Sequence, residues 1–371
     1  QLGSTTNGEA VNVHGHSNTI INNGTISSHN GAALWFQDRT TASDPSERNH
    51  VINHGTIRTD KGPSYNVFGS SQNSGGPGLI FDNYGTVDGS LRFGNGSDSL
   101  TFGSGSVITG NVDGGGGTND LTLYADSSDP AGQLLGSVKN FTSITKEGDG
   151  TWGIFGQVPS QEGEYWPSSP ITGTLANVTT LTVNDGTLNI IGAAPDFHGT
   201  VQINANGNLS VQADSINYTS SVTNNGTLTF DQPAVGNHTY SGQGISGNGM
   251  VIKQGDGDLI MNSATANTYS GGTWIRENAI VVDRDSDLGA ATGQLILGTD
   301  STDGNLNGTL KFGSSFDLSA SRDITILDGG GTFDTNGFNT TVNQAINGTG
   351  DLTKAGDGVL TLASAAYTYE G

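Results

Sequence analysis

Three lysines hold the same place in three copies of one phrase. Lys146-Glu147-Gly148-Asp149-Gly150, Lys253-Gln254-Gly255-Asp256-Gly257 and Lys354-Ala355-Gly356-Asp357-Gly358 each set a cation and a carboxylate on a glycine turn. One basic point per copy could meet a sulfated or carboxylated glycan, with Asp149 and Asp256 beside it. The alternative is a solvated corner lysine that keeps water at the turn and protects strand edges from pairing; it predicts that Lys253→Ala costs little stability. Tyr165 and Trp166 stand in the longest irregular stretch, Gly156 to Gly173. Aromatics on a loop suit binding, because loops carry function and Tyr and Trp dominate hot spots. The alternative folds Trp166 back as a cap. The ligand-binding candidates are therefore Lys146, Lys253, Lys354, Asp149, Asp256, Tyr165 and Trp166.

Catalysis asks for more than the chain offers. Glycan cleavage needs paired carboxylates at a fixed gap, or an acidic cluster with a basic proton acceptor. Asp256 and Asp258 are close in sequence, yet Asp is also a common turn residue. The Gly-Asp-Ser-Gly string of trypsin-like nucleophiles does not occur. His14-Gly15-His16 has chelating proximity, but no third ligand follows at metal spacing. Gly94 to Leu100 fits the tail of a calcium-binding nonapeptide, without the tandem nine-residue period of a calcium roll. The expectation is no enzyme, no cofactor and no metal.

Bulk composition narrows the class. Glycine is the outlier at 59 of 371 residues, with no Gly-X-Y period, so collagen is excluded. Hydrophobic residues make up only 32% and charged residues 13%. A thin core one strand face wide needs no more. The net charge of −22 disfavours nucleic acid and anionic membranes as partners. No apolar run approaches the ~18 residues that span a membrane. No leader opens the sequence, so it reads as cytosolic or already processed. The absence of cysteine excludes disulfides and suits an exported chain.

Repeats dictate the elements that must position these residues. The refrain Asn23-Gly24-Thr25-Ile26 returns as Asn53-His54-Gly55-Thr56-Ile57 and Asn83-Tyr84-Gly85-Thr86-Val87. With the apolar burst Ala32 to Phe36 and one returning segment, each repeat holds three strands. The polar stretch Thr40 to Asn49 reads as a surface loop, as do Asp126 to Gly136, Ala193 to Phe197 and Asp231 to Asn237. Further on the refrain tightens at Gly186, Gly207 and Gly226, and strands such as Leu188-Asn189-Ile190 alternate. Short alternating strands in rungs of about 20 residues fit a parallel β-helix. Alternation points Leu188 and Ile190 inward and leaves Asn and Thr outside, as a possible hydrogen-bonding strip. Gly after Asn supplies the positive φ of each corner. In the second Lys copy, Gly255 and Gly257 should form the turn, with Ile252 and Leu259 pointing inward. Gly356 and Gly358 should do the same beside Leu352 and Leu360.

The second copy runs from Ile245 through Lys253-Gln254-Gly255-Asp256-Gly257 to Asn267-Thr268-Tyr269-Ser270-Gly271-Gly272-Thr273-Trp274-Ile275. It resembles the passenger-associated repeat of autotransporters, the type V secreted proteins of Gram-negative bacteria. The phrase from Ile346 returns about a hundred residues later and breaks off at Tyr367 to Gly371. The resemblance implies an all-β fold, a right-handed three-stranded parallel β-helix (a pertactin-like solenoid) with protruding loops. It implies one passenger domain over 1–371, cut within a repeat, whose stem and membrane β-barrel are missing. It implies a place on the bacterial surface or in the secreted fraction, anchored in the outer membrane through that barrel. The function implied is an adhesin for host extracellular-matrix glycans, such as glycosaminoglycans, or for fibronectin. Self-association between rods in aggregation and biofilm is the alternative, and a glycan-degrading enzyme the third reading.

Overall fold

The computed structural model describes residues 2–4, 8–37, 47–70, 77–156, 174–364 and 368–369. They fall into two compact units, Gln1–Gly199 and Thr200–Gly371.

In the first unit the strands up to Val112–Asp113 each pair in parallel with the strand three places on. Leu2–Ser4, Thr25–Ser28, Thr56–Thr59, Thr86–Asp88, Val107–Ile108, Gly132–Leu134 and Thr151–Ile154 make one column. Val11–His14, Leu34–Gln37, Asn66–Ser70, Ser90–Arg92 and Val112–Asp113 make a second. Thr19–Asn22, Asn49–Asn53, Leu79–Asn83, Ser99–Phe102 and Asp120–Tyr124 make the third. Val138–Glu147 continues the second and third columns, and Leu175–Ile190 runs through all three, so both pass a corner without a break. This is the expected three-stranded parallel β-helix. Alternation along each strand buries one face, and parallel stacking brings like residues over like. Phe36, Phe68, Phe81, Phe102 and Trp152, drawn from all three columns, meet inside the coil as an aromatic spine, with successive ring centroids 5.6, 5.1, 6.5 and 6.2 Å apart.

The second unit repeats the logic. One column runs through Thr227–Asp231, Met250–Gln254, Thr273–Ile275, Leu295–Leu297, Ile324–Ile326 and Ile346–Gly348. Another runs through Asn237–Tyr240, Asp258–Met261, Asn278–Val282, Gly308–Phe312, Gly331–Asp334 and Leu352–Ala355. Arg322 is fully buried here. It is held by the Asp285 carboxylate at 2.9 Å and by the carbonyls of Leu288 and Gly293 at 3.1 and 2.7 Å. A buried guanidinium persists only with such full pairing.

Several expectations need correction. Asp126 to Gly136 is not all loop, since Gly132–Leu134 is a rung strand. Asn49 opens the strand Asn49–Asn53; residues 40–46 of the polar stretch lie outside the described residues. Leu259 faces inward as expected, but Ile252 does not: Val251 and Lys253 fill the inward positions and Ile252 lies between them on the outer side. Leu352 and Leu360 are half-buried. Gly255 and Gly356 take φ of 84° and 74°, as the turn requires. Gly257 and Gly358 serve a different need, because a Cβ there would lie 2.4 Å from the Ala234 carbonyl oxygen and 1.6 Å from that of Phe338. In each Lys-x-Gly-x-Gly corner the first glycine turns the chain and the second lets two rungs touch.

Candidate functional site

The Lys corners were the first candidates, and their geometry reverses the solvated picture. Lys146 stacks between Leu123 and Val183, and Lys253 between Phe230 and Ile275, both on inward positions of their strands. Both residues are fully buried. The Lys146 Nζ donates to the carbonyls of Glu147, Gly148 and Asp185 at 2.8, 2.6 and 3.2 Å. The Lys253 Nζ donates to those of Gly255 and Glu277 at 2.7 and 3.1 Å. Each aliphatic stem packs in the core and each ammonium closes the following turn. Burial lowers both ammonium groups to about 8, against the raising pull of Asp185 on one and Glu277 on the other. Lys354 makes the same turn contacts, to Ala355 and Gly356, but is exposed at a strand whose one pairing among the described residues is with Gly331–Asp334.

These lysines do not form one row. Lys253 and Lys354 are equivalent in sequence yet stand in different columns of the second unit, and Lys146 belongs to the first unit. Asp149 is exposed on the Lys146 corner, where its carboxylate accepts from the Ser127 N–H at 2.8 Å and the Ser127 hydroxyl at 2.7 Å, bonds that hold it below the usual range. Asp256 is exposed on the Lys253 corner. Tyr165 and Trp166 lie outside the described residues.

The asparagines expected outside are partly inside. Asn22, Asn53 and Asn83 are buried in one row, with Nδ2 of Asn22 donating to Oδ1 of Asn53 at 2.7 Å and Nδ2 of Asn53 to Oδ1 of Asn83 at 2.6 Å. Asp98 is also buried; its Oδ1 accepts from the Leu79 N–H at 2.7 Å, and its Oδ2 has no partner.

Sequence reasoning passed over the outer face of the third column in the first unit. Thr101, Thr122, Thr145 and Thr182 follow one another in strict register on four successive rungs. Their signal was an apolar-Thr pair in every rung: Leu100-Thr101, Leu121-Thr122, Ile144-Thr145 and Leu181-Thr182. At the adjoining corner His54, Tyr84, Gly103, Tyr124 and Glu147 succeed each other. The rings of His54 and Tyr84 stack at 5.1 Å and 14°. Tyr84 and Tyr124 are 46% and 44% exposed. The Tyr84 ring lies on Gly103, where a Cβ would come within 2.4 Å of Cδ1.

Comparison with known proteins agrees with the repeats. The passenger-associated-transport-repeat family matches residues 251–277 and 352–371, which contain the Lys253 and Lys354 corners. The chain is also 30% identical over 264 residues to the adhesin BmaC autotransporter of Brucella suis biovar 1 (strain 1330). That alignment covers 67% of this chain and 7% of the relative, so the chain spans a small part of the relative's length. No solved structure matches it. The repeat match, the shared sequence and the parallel β-helix identify the chain as part of an autotransporter passenger, a cell-surface or secreted segment anchored at the outer membrane.

Proposed function

We propose that the chain is an adhesive segment that binds host extracellular-matrix components through the outward polar faces of its β-helix. The observation that carries this reading is the in-register outer face of the first unit, where threonine hydroxyls repeat on four successive rungs and two exposed tyrosine rings stand two rungs apart at the adjoining corner. A long row of identical weak contacts suits a multivalent ligand such as a glycan chain, and many copies on one cell multiply the effect. The relative named as an adhesin supports a binding role over an enzymatic one. Glycans are favoured over matrix proteins such as fibronectin because hydroxyl and aromatic rows match sugars directly. Asp149 and Asp256 remain candidate contacts at their exposed corners, as do Tyr165 and Trp166 from the sequence; Lys146, Lys253 and Lys354 all have their ammonium groups committed to carbonyls, although Lys354 is itself exposed. The test is saturable binding of the purified chain to a surface array of matrix glycans and matrix proteins. No saturable binding to any member would remove the adhesive reading.

A further inference from the structure

We infer that the third-column face of the first unit is a binding site for an uncharged glycan chain, with Tyr84 and Tyr124 as stacking platforms and the threonine row as its hydrogen-bonding edge. This rests on the adhesive reading above and names its ligand class. Among the described residues, neither tyrosine hydroxyl and none of the Oγ1 atoms of Thr101, Thr122, Thr145 and Thr182 has a hydrogen-bond partner; the Tyr84 ring stacks on His54, and the Tyr124 carbonyl accepts from Nε1 of Trp152 at 2.8 Å. They are therefore free to meet a ligand. Rungs lie about 4.8 Å apart, so Tyr84 and Tyr124, two rungs apart, are separated by a distance on the order of two linked pyranose rings. Gly103 between them carries no side chain of its own, and the Tyr84 ring lies over it. Tyr offers a flat apolar face with a polar tip, which suits the apolar face and the hydroxyls of a sugar. The His54 stack and the Gly103 backbone pin the Tyr84 ring before any ligand arrives, which lowers the ordering cost of binding.

Charge selects among glycans. Asp82 and Glu147 occupy outward positions in these same rows and Asp120 the neighbouring row of the same face, each steadied by a neighbour: His50 at 2.7 Å, the Asn184 amide at 2.5 Å and the Ser143 hydroxyl at 2.5 Å. They offer acceptors to sugar hydroxyls and repel sulfates and carboxylates. Arg48 is turned away, donating to the carbonyls of Leu79 and Ser97 at 2.7 and 3.0 Å. The face thus fits a neutral hexose or N-acetylhexosamine polymer and opposes a glycosaminoglycan.

The experiment measures binding of the purified chain to immobilised tetrasaccharides of β-linked glucose, galactose, mannose and N-acetylglucosamine, with heparin and hyaluronan tetrasaccharides as acidic counterparts. The expected result is saturable binding to at least one neutral tetrasaccharide and none to heparin at physiological salt. Tyr84→Ala with Tyr124→Ala should lower that affinity at least tenfold, and Thr122→Val severalfold, with each variant still unfolding in one cooperative transition, because both rings are nearly half exposed and Thr122 faces outward. Failure to bind any neutral tetrasaccharide, preference for heparin, or indifference to the double substitution would overturn the inference. If the parent chain and the double variant both still bind a matrix protein, the glycan site fails and the adhesive reading stands. Concentration-dependent self-association that the double substitution abolishes would assign the face to a second copy of the chain and also overturn it.

Discussion

The ammonium of Lys253 lies 2.7 Å from the carbonyl oxygen of Gly255, two residues along the same chain. The lysine thus enters the core beside Val251 and reaches back out to lock the turn that follows it. A cation is affordable there only because the turn offers carbonyls in place of water.

Lys253→Ala should therefore destabilise the second unit by about 2–4 kcal/mol, through a cavity and orphaned carbonyls together. Lys253→Met, which keeps the stem and loses the donor, should cost about 1–3 kcal/mol. Denaturant midpoints of the two variants check this; a wild-type midpoint for Lys253→Ala would restore the solvated-lysine picture.

The strand register around the same corner can be read from two aliphatic residues. Leu259 is fully buried, and Leu259→Ala should cost about 2–5 kcal/mol. Ile252 lies on the outer side between Thr229 and Trp274, and Ile252→Ala should cost under about 1 kcal/mol. The reverse order in thermal unfolding would shift the register by one residue and exchange every inward and outward position of the strand.

Asn53 bridges two rungs through its side chain. Asn53→Ala should cost about 2–4 kcal/mol, since it takes the donor from the buried Asn83 side-chain carbonyl and one of two acceptors from the Asn22 amide, which keeps only the Thr56 carbonyl. Asn23→Ala, at an exposed corner position, serves as the control and should stay within about 0.5 kcal/mol of the parent. Amide hydrogen exchange in Asn49–Asn53 would show whether the loss is confined to those rungs.

Burial pushes the Asp98 carboxyl up to about 8 from an ordinary 3.8, opposed by the Leu79 N–H and the Arg48 charge. Between those values the folded unit keeps a proton that the unfolded chain has released. The stability from this group is complete below about pH 4 and is lost as the pH rises through about 8. Asp98→Asn retains an oxygen for the Leu79 N–H and removes the titration. The variant should exceed the parent in stability at pH 8.5, and the gap should close towards pH 5. A gap that stays constant across thermal unfolding at these pH values would show that Asp98 does not carry the proton.

The sequence by itself determined the kind of fold. Strand length, alternation, glycine corners and recurring phrases are local, and a rung needs little else to specify it. Asn-Gly refrains and Lys-Gly-Gly corners announced where the chain turns. Only the tertiary structure decided which polar residues joined the aliphatic ones in the core. Lys146 and Lys253 look like surface residues by type, and Asn53 looks like an outer one. Their burial follows from partners supplied by other rungs: Asp185 for Lys146, Glu277 for Lys253, and Asn22 and Asn83 for Asn53. Stacking also decided what lies next to what. Lys253 and Lys354 share a phrase and stand in different columns, because the residues between them do not complete whole turns of the coil. Tyr84 and Tyr124 share no phrase and become neighbours across Gly103. A binding row on a β-helix runs across the strands, perpendicular to the chain, so its members are spaced by whole rungs whose lengths vary. The residue separation is 31 between Asn22 and Asn53 and 21 between Asp98 and Asn119. No fixed sequence period marks such a row, and the register of the folded strands is what assembles it.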